Sequence, residues 1–178
     1  MLVSNECPPL TRAGYAAATH ALGIGKLIVF GDGVPLRSQP RQWGLCAVDD
    51  HINLLGDSPL IGPHDPALGP RFPDMSAPYA KHLFEFGQHG PIPGCTYAAC
   101  PTSLLHDPRR RDHMAALGAD FAGPWIVPEL LAARQGSMDV LAFVAPVDAH
   151  YEGARVLADT NGTIWERSRD LIAHMAQD

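Results

Sequence analysis

Three side chains that can move a proton or bind a polar ligand stand beside predicted strands or helices: Asp32, His106 and Asp148. Asp32 follows the apolar run 26–30, which predicts a buried strand. Asp148 follows a longer apolar run at 140–147, and His106 directly precedes a predicted helix. A carboxylate accepts protons and hydrogen bonds, and a histidine donates or accepts near neutral pH. Asp32 and Asp148 are therefore candidate catalytic residues, and His106 and Asp148 are candidate ligand-binding residues.

Each of these residues also has an ordinary structural interpretation. The Gly31-Asp32-Gly33 stretch is typical of a tight turn, and the sequence favours that turn over an acid–base role. Asp148 could cap a loop, and His106 could be a solvent-exposed residue at the start of a helix. The sequence alone leaves these alternatives open.

Predicted strands and helices alternate along the chain. The predicted strands are 26–30, 45–48, 96–100, 121–123 and 140–147. The predicted helices are 12–22, 77–87, 107–117, 128–134 and 163–176. This alternation predicts an α/β fold, with one domain over residues 1–178 and a central, mostly parallel or mixed sheet flanked by helices. Ligands of such sheets bind beyond the carboxyl ends of the strands.

The composition narrows the classes of partner. The chain has 178 residues, a formal net charge of −6 and one short basic cluster at 109–111, so nucleic acid is not an expected partner. No apolar run approaches the length of a membrane span, and the N-terminus does not resemble a signal peptide, so no membrane association is expected.

The cysteines and histidines bear on location and on metal binding. None of the four cysteines forms a C-x-x-C pair, and we expect reduced thiols in a cytoplasmic protein. The nine histidines are scattered without the H-E-x-x-H spacing of a zinc site. The sequence therefore predicts neither a metal nor a cofactor.

A Gly- and Pro-rich loop at 55–73 lies within a series of short segments whose order and spacing are specific. The segments are DHINL at 50–54, GP at 62–63, RFPDMS at 71–76, TY at 96–97, LGAD at 117–120 and VPE at 127–129. This series resembles the trimeric class of purine nucleoside phosphorylases, from about residue 5 onward. CPP at 7–9 and Asp148 are similar to the methylthioadenosine phosphorylase branch, and the branch stays open.

The resemblance implies an enzyme that cleaves the N-glycosidic bond of a nucleoside with phosphate. His106, preceded by Leu105, takes the place of the family's Phe-Glu base-reading pair, and Asp148 takes the place of its base-binding Asn. An Asp at that position is what the adenine-selective branch uses. Phe72 matches the phenylalanine that reaches a neighbouring subunit's ribose site, and Asn5 stands in the place of a tyrosine. The resemblance thus implies a homo-oligomer, a trimer or hexamer.

Other positions depart from the family pattern. Asp32 falls where phosphate should lie, and Pro124-Trp125 replaces a Met-Ser pair whose hydroxyl binds phosphate. The family's Arg-x-His falls at about residues 1–3, where neither type is present, and its glycine-rich loop would precede Met1. We therefore expect a divergent member that lacks the N-terminal part of the family fold. Pro124, Trp125 and Tyr97 complete the set of predicted substrate-binding residues.

Two functions fit these expectations. The first is cleavage or transfer at the glycosidic bond of an adenine-type nucleoside, with water or another acceptor in place of phosphate. The second is a non-catalytic nucleoside-binding or partner subunit that assembles with a full-length relative.

Overall fold

The computed structural model describes residues 9–38, 45–80 and 92–148. The α-helices of this part of the chain are α1 (Pro9–Ala21), α2 (Thr102–Leu105), α3 (Pro108–Ala116) and α4 (Val127–Gln135), and Pro66–Leu68 form a short 3-10 helix. The strands are β1 (Lys26–Pro35), β2 (Cys46–Asn53), β3 (Gly94–Ala99), β4 (Phe121–Gly123) and β5 (Asp139–Pro146).

The five strands close into a barrel in the order β1-β4-β3-β2-β5. The pairs β1–β5, β2–β3 and β3–β4 are parallel, whereas β1–β4 and β2–β5 are antiparallel. The predicted α/β fold with a mixed sheet is confirmed. Closure of the sheet was not predicted, because the pairing of β1 with β4 depends on two residue pairs near the end of β1.

The longest pairing joins β1 to β5 over eight residues, from Lys26 opposite Asp139 to Gly33 opposite Pro146. Residues 140–144 of β5 are all buried, as expected for a parallel strand covered on both faces. This continuous apolar run is the reason that β5 could be recognised from the sequence.

The predicted turn at Gly31-Asp32-Gly33 is wrong, because β1 continues through these residues to Pro35. A Cβ on Gly31 would lie 2.7 Å from Ile126 Cγ1, and a Cβ on Gly33 would lie 2.8 Å from Val144 Cγ2. The glycines therefore allow close packing against neighbouring side chains inside a strand. Glycine in a strand can indicate a close approach by neighbouring groups, whereas glycine in a loop often indicates a turn.

Several predicted elements change length or fall elsewhere. Strand β2 extends past 45–48 to Asn53, with an irregularity in its pairing between Val48 and Asp50. Residues 77–80 are not helical, and the rest of the predicted helix 77–87 lies outside the described residues, as does 163–176. The single-turn helix α2 was not predicted.

Helices α3 and α4 match their predictions. Asp107 is the N-cap of α3, and its side chain accepts a hydrogen bond of 2.9 Å from the backbone amide of Arg109. Pro108 occupies the first helical position, where its missing N–H removes no intrahelical bond. Helix α4 packs mainly against α1 and also contacts β1 and β5 of the barrel.

Three of the four cysteines lie in the described residues and are buried free thiols: Cys46, Cys95 and Cys100. The pKa of Cys95 lies far above its usual value. The largest cause is a hydrogen bond with Cys46, and the next is burial of the thiol. Burial raises the pKa of Cys100 to about 11. Across residues 9–38, 45–80 and 92–148, no helix is long and apolar enough to cross a membrane.

Candidate functional site

A cavity of about 190 Å³ opens at the carboxyl ends of β1, β4 and β5, the edge at which ligand binding was expected. Its apolar wall is formed by Gly33, Val34, Leu105, Ala122, Gly123 and Val147. The remaining lining residues are Asp32, Thr102, His106, Pro124, Trp125 and Asp148. The barrel supplies one side of this cavity, and the start of the α2–α3 region supplies the other.

The cavity gathers six of the residues proposed for the site from the sequence: Asp32, Leu105, His106, Pro124, Trp125 and Asp148. The three polar members come from β1, from the end of α2 and from the residue pair that follows β5. His106 and Asp148 are exposed at the mouth, and Asp32 is half-buried. Thr102, which sequence reasoning missed, adds a hydroxyl at the start of α2.

Tyr97 lies behind the cavity wall and not on its surface. Its side chain is fully buried, and its hydroxyl donates a hydrogen bond of 3.0 Å to the backbone oxygen of Asp32. Burial, together with the Asp32 charge, raises the pKa of Tyr97 well above its usual value, and a backbone hydrogen bond from Trp125 acts in the opposite direction. Tyr97 therefore contacts the backbone of two cavity-lining segments.

A strained turn sets the position of Trp125. Ile126 has φ 71° and ψ −61°, and the backbone amide of Val127 donates a 2.8 Å hydrogen bond to the carbonyl of Trp125. These values are those of the rare γ-turn of positive φ, which is unfavourable for a β-branched residue. Ile126 is fully buried against Gly31, so packing helps to hold the strained backbone. No sequence signal indicated this turn.

Two predicted residues do not reach this cavity within the described structure. Phe72 is 87% exposed in the 55–73 loop, beside a separate hollow of about 360 Å³. Asn5 lies outside the described residues. The predicted contact of Phe72 with a neighbouring subunit stays a prediction.

No protein-family model matches this chain. Purine nucleoside phosphorylase 1 of Geobacillus stearothermophilus is 35% identical to it over 127 residues, which cover 68% of this chain and 46% of that protein. Purine nucleoside phosphorylase 1 of Bacillus subtilis (strain 168) is 34% identical over 127 residues, 68% of this chain and 47% of the relative. The chain belongs to the purine nucleoside phosphorylase family. It spans about half the length of the curated relatives it matches.

Solved purine nucleoside phosphorylases share the fold. A Schistosoma purine nucleoside phosphorylase in complex with guanosine superposes with a TM-score of 0.74 at 22% identity, covering 93% of this chain and 67% of the other. The Schistosoma enzyme in complex with hypoxanthine gives a TM-score of 0.75 at 21% identity, with the same coverage. At this level of identity the match establishes the fold of this phosphorylase family member.

The DHINL segment of this phosphorylase family member forms a polar network outside the cavity. Tyr79 Oη and His51 Nδ1 lie 3.3 Å apart, and the two rings meet edge to face at 5.8 Å. Burial lowers the pKa of His51, and the negative charge of Asp50 partly opposes this effect. Asp50, Asp49 and Tyr79 border a second hollow of about 550 Å³. Within the three described ranges, no group of three or more His, Cys, Asp or Glu side chains could hold a metal.

Proposed function

We propose that this member of the purine nucleoside phosphorylase family binds an adenine-type nucleoside in the cavity and cleaves its N-glycosidic bond. The observation that carries the proposal is the meeting of Asp32, His106 and Asp148 in one cavity at the carboxyl ends of the strands. These residues are distant in sequence, and the fold brings them together where α/β sheets bind ligands.

The base is assigned to the space between Asp148 and His106. A carboxylate accepts a hydrogen bond from an exocyclic 6-amino group or shares a proton with N7, and a histidine donates or accepts at the opposite edge of the ring. The apolar wall contributed by Leu105 and Val147 accommodates the flat faces of a purine. Both polar residues are exposed at the mouth, so a ligand can reach them.

The acceptor is assigned to the Asp32 side of the cavity. A carboxylate disfavours a second anion nearby, so Asp32 is a poor neighbour for phosphate and a suitable base for water. In this reaction the C1′–N9 bond breaks with its electron pair on the base, which takes up a proton. The water oxygen bonds to C1′ and its proton passes to Asp32, which releases it to solvent; solvent supplies the proton that the base takes up. Fixed negative charge stabilises the positive sugar of the transition state.

The direct test is release of free base from adenosine, methylthioadenosine and inosine, with and without inorganic phosphate. We expect adenine release without phosphate and no acceleration when phosphate is added. Asp32→Asn should lower the rate by about 100-fold or more, as for loss of a general base. Asp139→Asn, at the opposite end of β5, is the matched control and should leave the rate unchanged. Rapid cleavage only in the presence of phosphate would contradict the proposal.

The second candidate function is a non-catalytic nucleoside-binding or partner subunit. Trp125 favours it, because an indole lines the cavity at the position where the resemblance places a phosphate-binding serine. Adenosine binding without base release from any nucleoside, alone or mixed with a full-length relative, would select this function.

The assembly proposed with either function is a homo-oligomer of chains folded as one domain over residues 1–178, located in the cytoplasm. Phe72 and Ile61 are 87% and 70% exposed and lie together beside one hollow. Exposed apolar surface of this kind is commonly covered by a partner. Light scattering should report a trimer or hexamer, and a monomer at micromolar concentration would contradict this part of the proposal.

A further inference from the structure

Tyr97 contacts both sides of the cavity wall from behind. Its hydroxyl donates to the backbone oxygen of Asp32 in β1, and it receives a backbone hydrogen bond from Trp125 in the turn after β4. Asp32 and Trp125 both line the cavity, and the two segments belong to different elements. One buried hydroxyl thus links two segments that both line the cavity.

The packing around Tyr97 is fitted to this hydroxyl. A Cβ placed on Gly123 would overlap the Tyr97 hydroxyl and would lie 3.1 Å from the backbone oxygen of Asp32. A Cβ on Gly33 would lie 3.2 Å from Tyr97 Cε2. Glycine at both positions gives the ring and its hydroxyl room to reach the strand. The side chain is fully buried, so water does not compete for these hydrogen bonds.

We infer that Tyr97 is a positioning residue that holds the Asp32 strand and the Trp125 turn at a fixed separation across the cavity. Tyr97 does not line the cavity, and it acts through the backbone of Asp32 and Trp125, which do. The inference deepens the proposed function, since its kinetic consequence rests on cleavage at Asp32. Its structural consequence is independent of any activity.

The structural consequence is tested with Trp125 fluorescence. Quenching of tryptophan fluorescence by acrylamide is measured for each protein and for the same protein carrying Trp125→Phe. The difference between the two measurements is the contribution of Trp125. Tyr97→Phe removes the hydroxyl that contacts the backbone of Asp32 and of Trp125, so the Trp125 quenching constant should rise about twofold or more as the turn loosens.

Tyr79→Phe is the matched control, because it removes another buried tyrosine hydroxyl, at His51 and away from the cavity. It should leave Trp125 quenching unchanged. No change in Tyr97→Phe, or an equal rise in both variants, would overturn the inference. Gly123→Ala is the second variant: it displaces the hydroxyl without removing it, should give the same rise, and would overturn the inference by giving none.

The kinetic consequence is a fall in kcat of about 10- to 100-fold in Tyr97→Phe, because Asp32 is displaced relative to the bound nucleoside. KM should change little, since the base contacts Asp148 and His106 are untouched. A raised KM at an unchanged kcat would overturn the inference. If the parent protein cleaves no nucleoside, the proposed function fails, and the fluorescence result still decides the role of Tyr97.

Discussion

The carboxylate of Glu129 accepts a hydrogen bond of 3.0 Å from the backbone amide of Ile126, the residue at the centre of the strained turn. Glu129 is buried at the start of α4, and Ile126 is the N-cap of the same helix. The helix therefore holds an unfavourable backbone conformation in place, and that conformation sets the position of Trp125 in the cavity wall.

Replacement of Glu129 should destabilise the fold. Glu129→Ala leaves the amide of Ile126 without its acceptor and should lower the free energy of unfolding by about 1–3 kcal/mol. Urea denaturation followed by circular dichroism measures the change. Asp112→Ala, at an exposed acidic position on α3, should stay within about 0.5 kcal/mol of the parent. Unfolding of Glu129→Ala at the same urea concentration as the parent would contradict the assigned role.

Gly123 and Tyr97 should be energetically coupled. Gly123→Ala places a methyl group on the Tyr97 hydroxyl and should cost about 1–3 kcal/mol of stability through overpacking. Gly14→Ala, in α1 with open space around it, should instead stabilise the protein by about 0.5–1 kcal/mol.

The double variant Gly123→Ala with Tyr97→Phe tests the steric explanation. Loss of the hydroxyl removes the overlap, so the double variant should lose less stability than the sum of the two single changes. A thermodynamic cycle from urea denaturation of the four proteins gives the coupling energy. Simple additivity would mean that the overlap is not what makes Gly123→Ala unfavourable.

The buried His51 should make stability depend on pH. Burial lowers its pKa below the ordinary value of 6.5, so between that value and the lowered pKa the unfolded chain binds a proton that the folded chain does not. The free energy of unfolding should therefore fall as the pH drops below about 6.5, by less than about 1.4 kcal/mol per pH unit, the limit for one proton.

His51→Gln should flatten this dependence in urea unfolding measured from pH 7 to pH 5. Tyr79→Phe keeps the histidine buried and is the control that should retain the dependence. If the free energy of unfolding of His51→Gln depends on pH as that of the parent does, the pH dependence comes from another group.

The sequence predicted the fold where a physical signal was local. The continuous apolar run of β5 and the Asp107-Pro108 helix start both gave elements close to those observed. The same reasoning failed at Gly31-Asp32-Gly33, because the contacts that require glycine there come from Ile126 and Val144, which are far away along the chain.

The grouping of the candidate residues in one cavity could be expected from the sequence for the same reason, and their role in binding a ligand stays a prediction. Asp32, His106 and Asp148 follow or precede recognisable elements, so the rule that ligands bind at the carboxyl ends of strands placed them together. The position of Tyr97 behind the wall was not predictable, since it depends on how β1 closes against β4.

The measurement that tests the central claim most directly is calorimetric titration of the protein with adenosine and inosine. Asp148→Ala should weaken adenosine binding about 5- to 150-fold, the range expected for loss of one hydrogen-bonding partner that the bound base would cover. Asp148→Asn should shift preference from the 6-amino toward the 6-oxo base, because the amide adds a donor. Asp139→Ala, at the other end of β5, should bind both nucleosides as the parent does. If both Asp148 variants also bind like the parent protein, the base does not lie at Asp148 and the account is wrong.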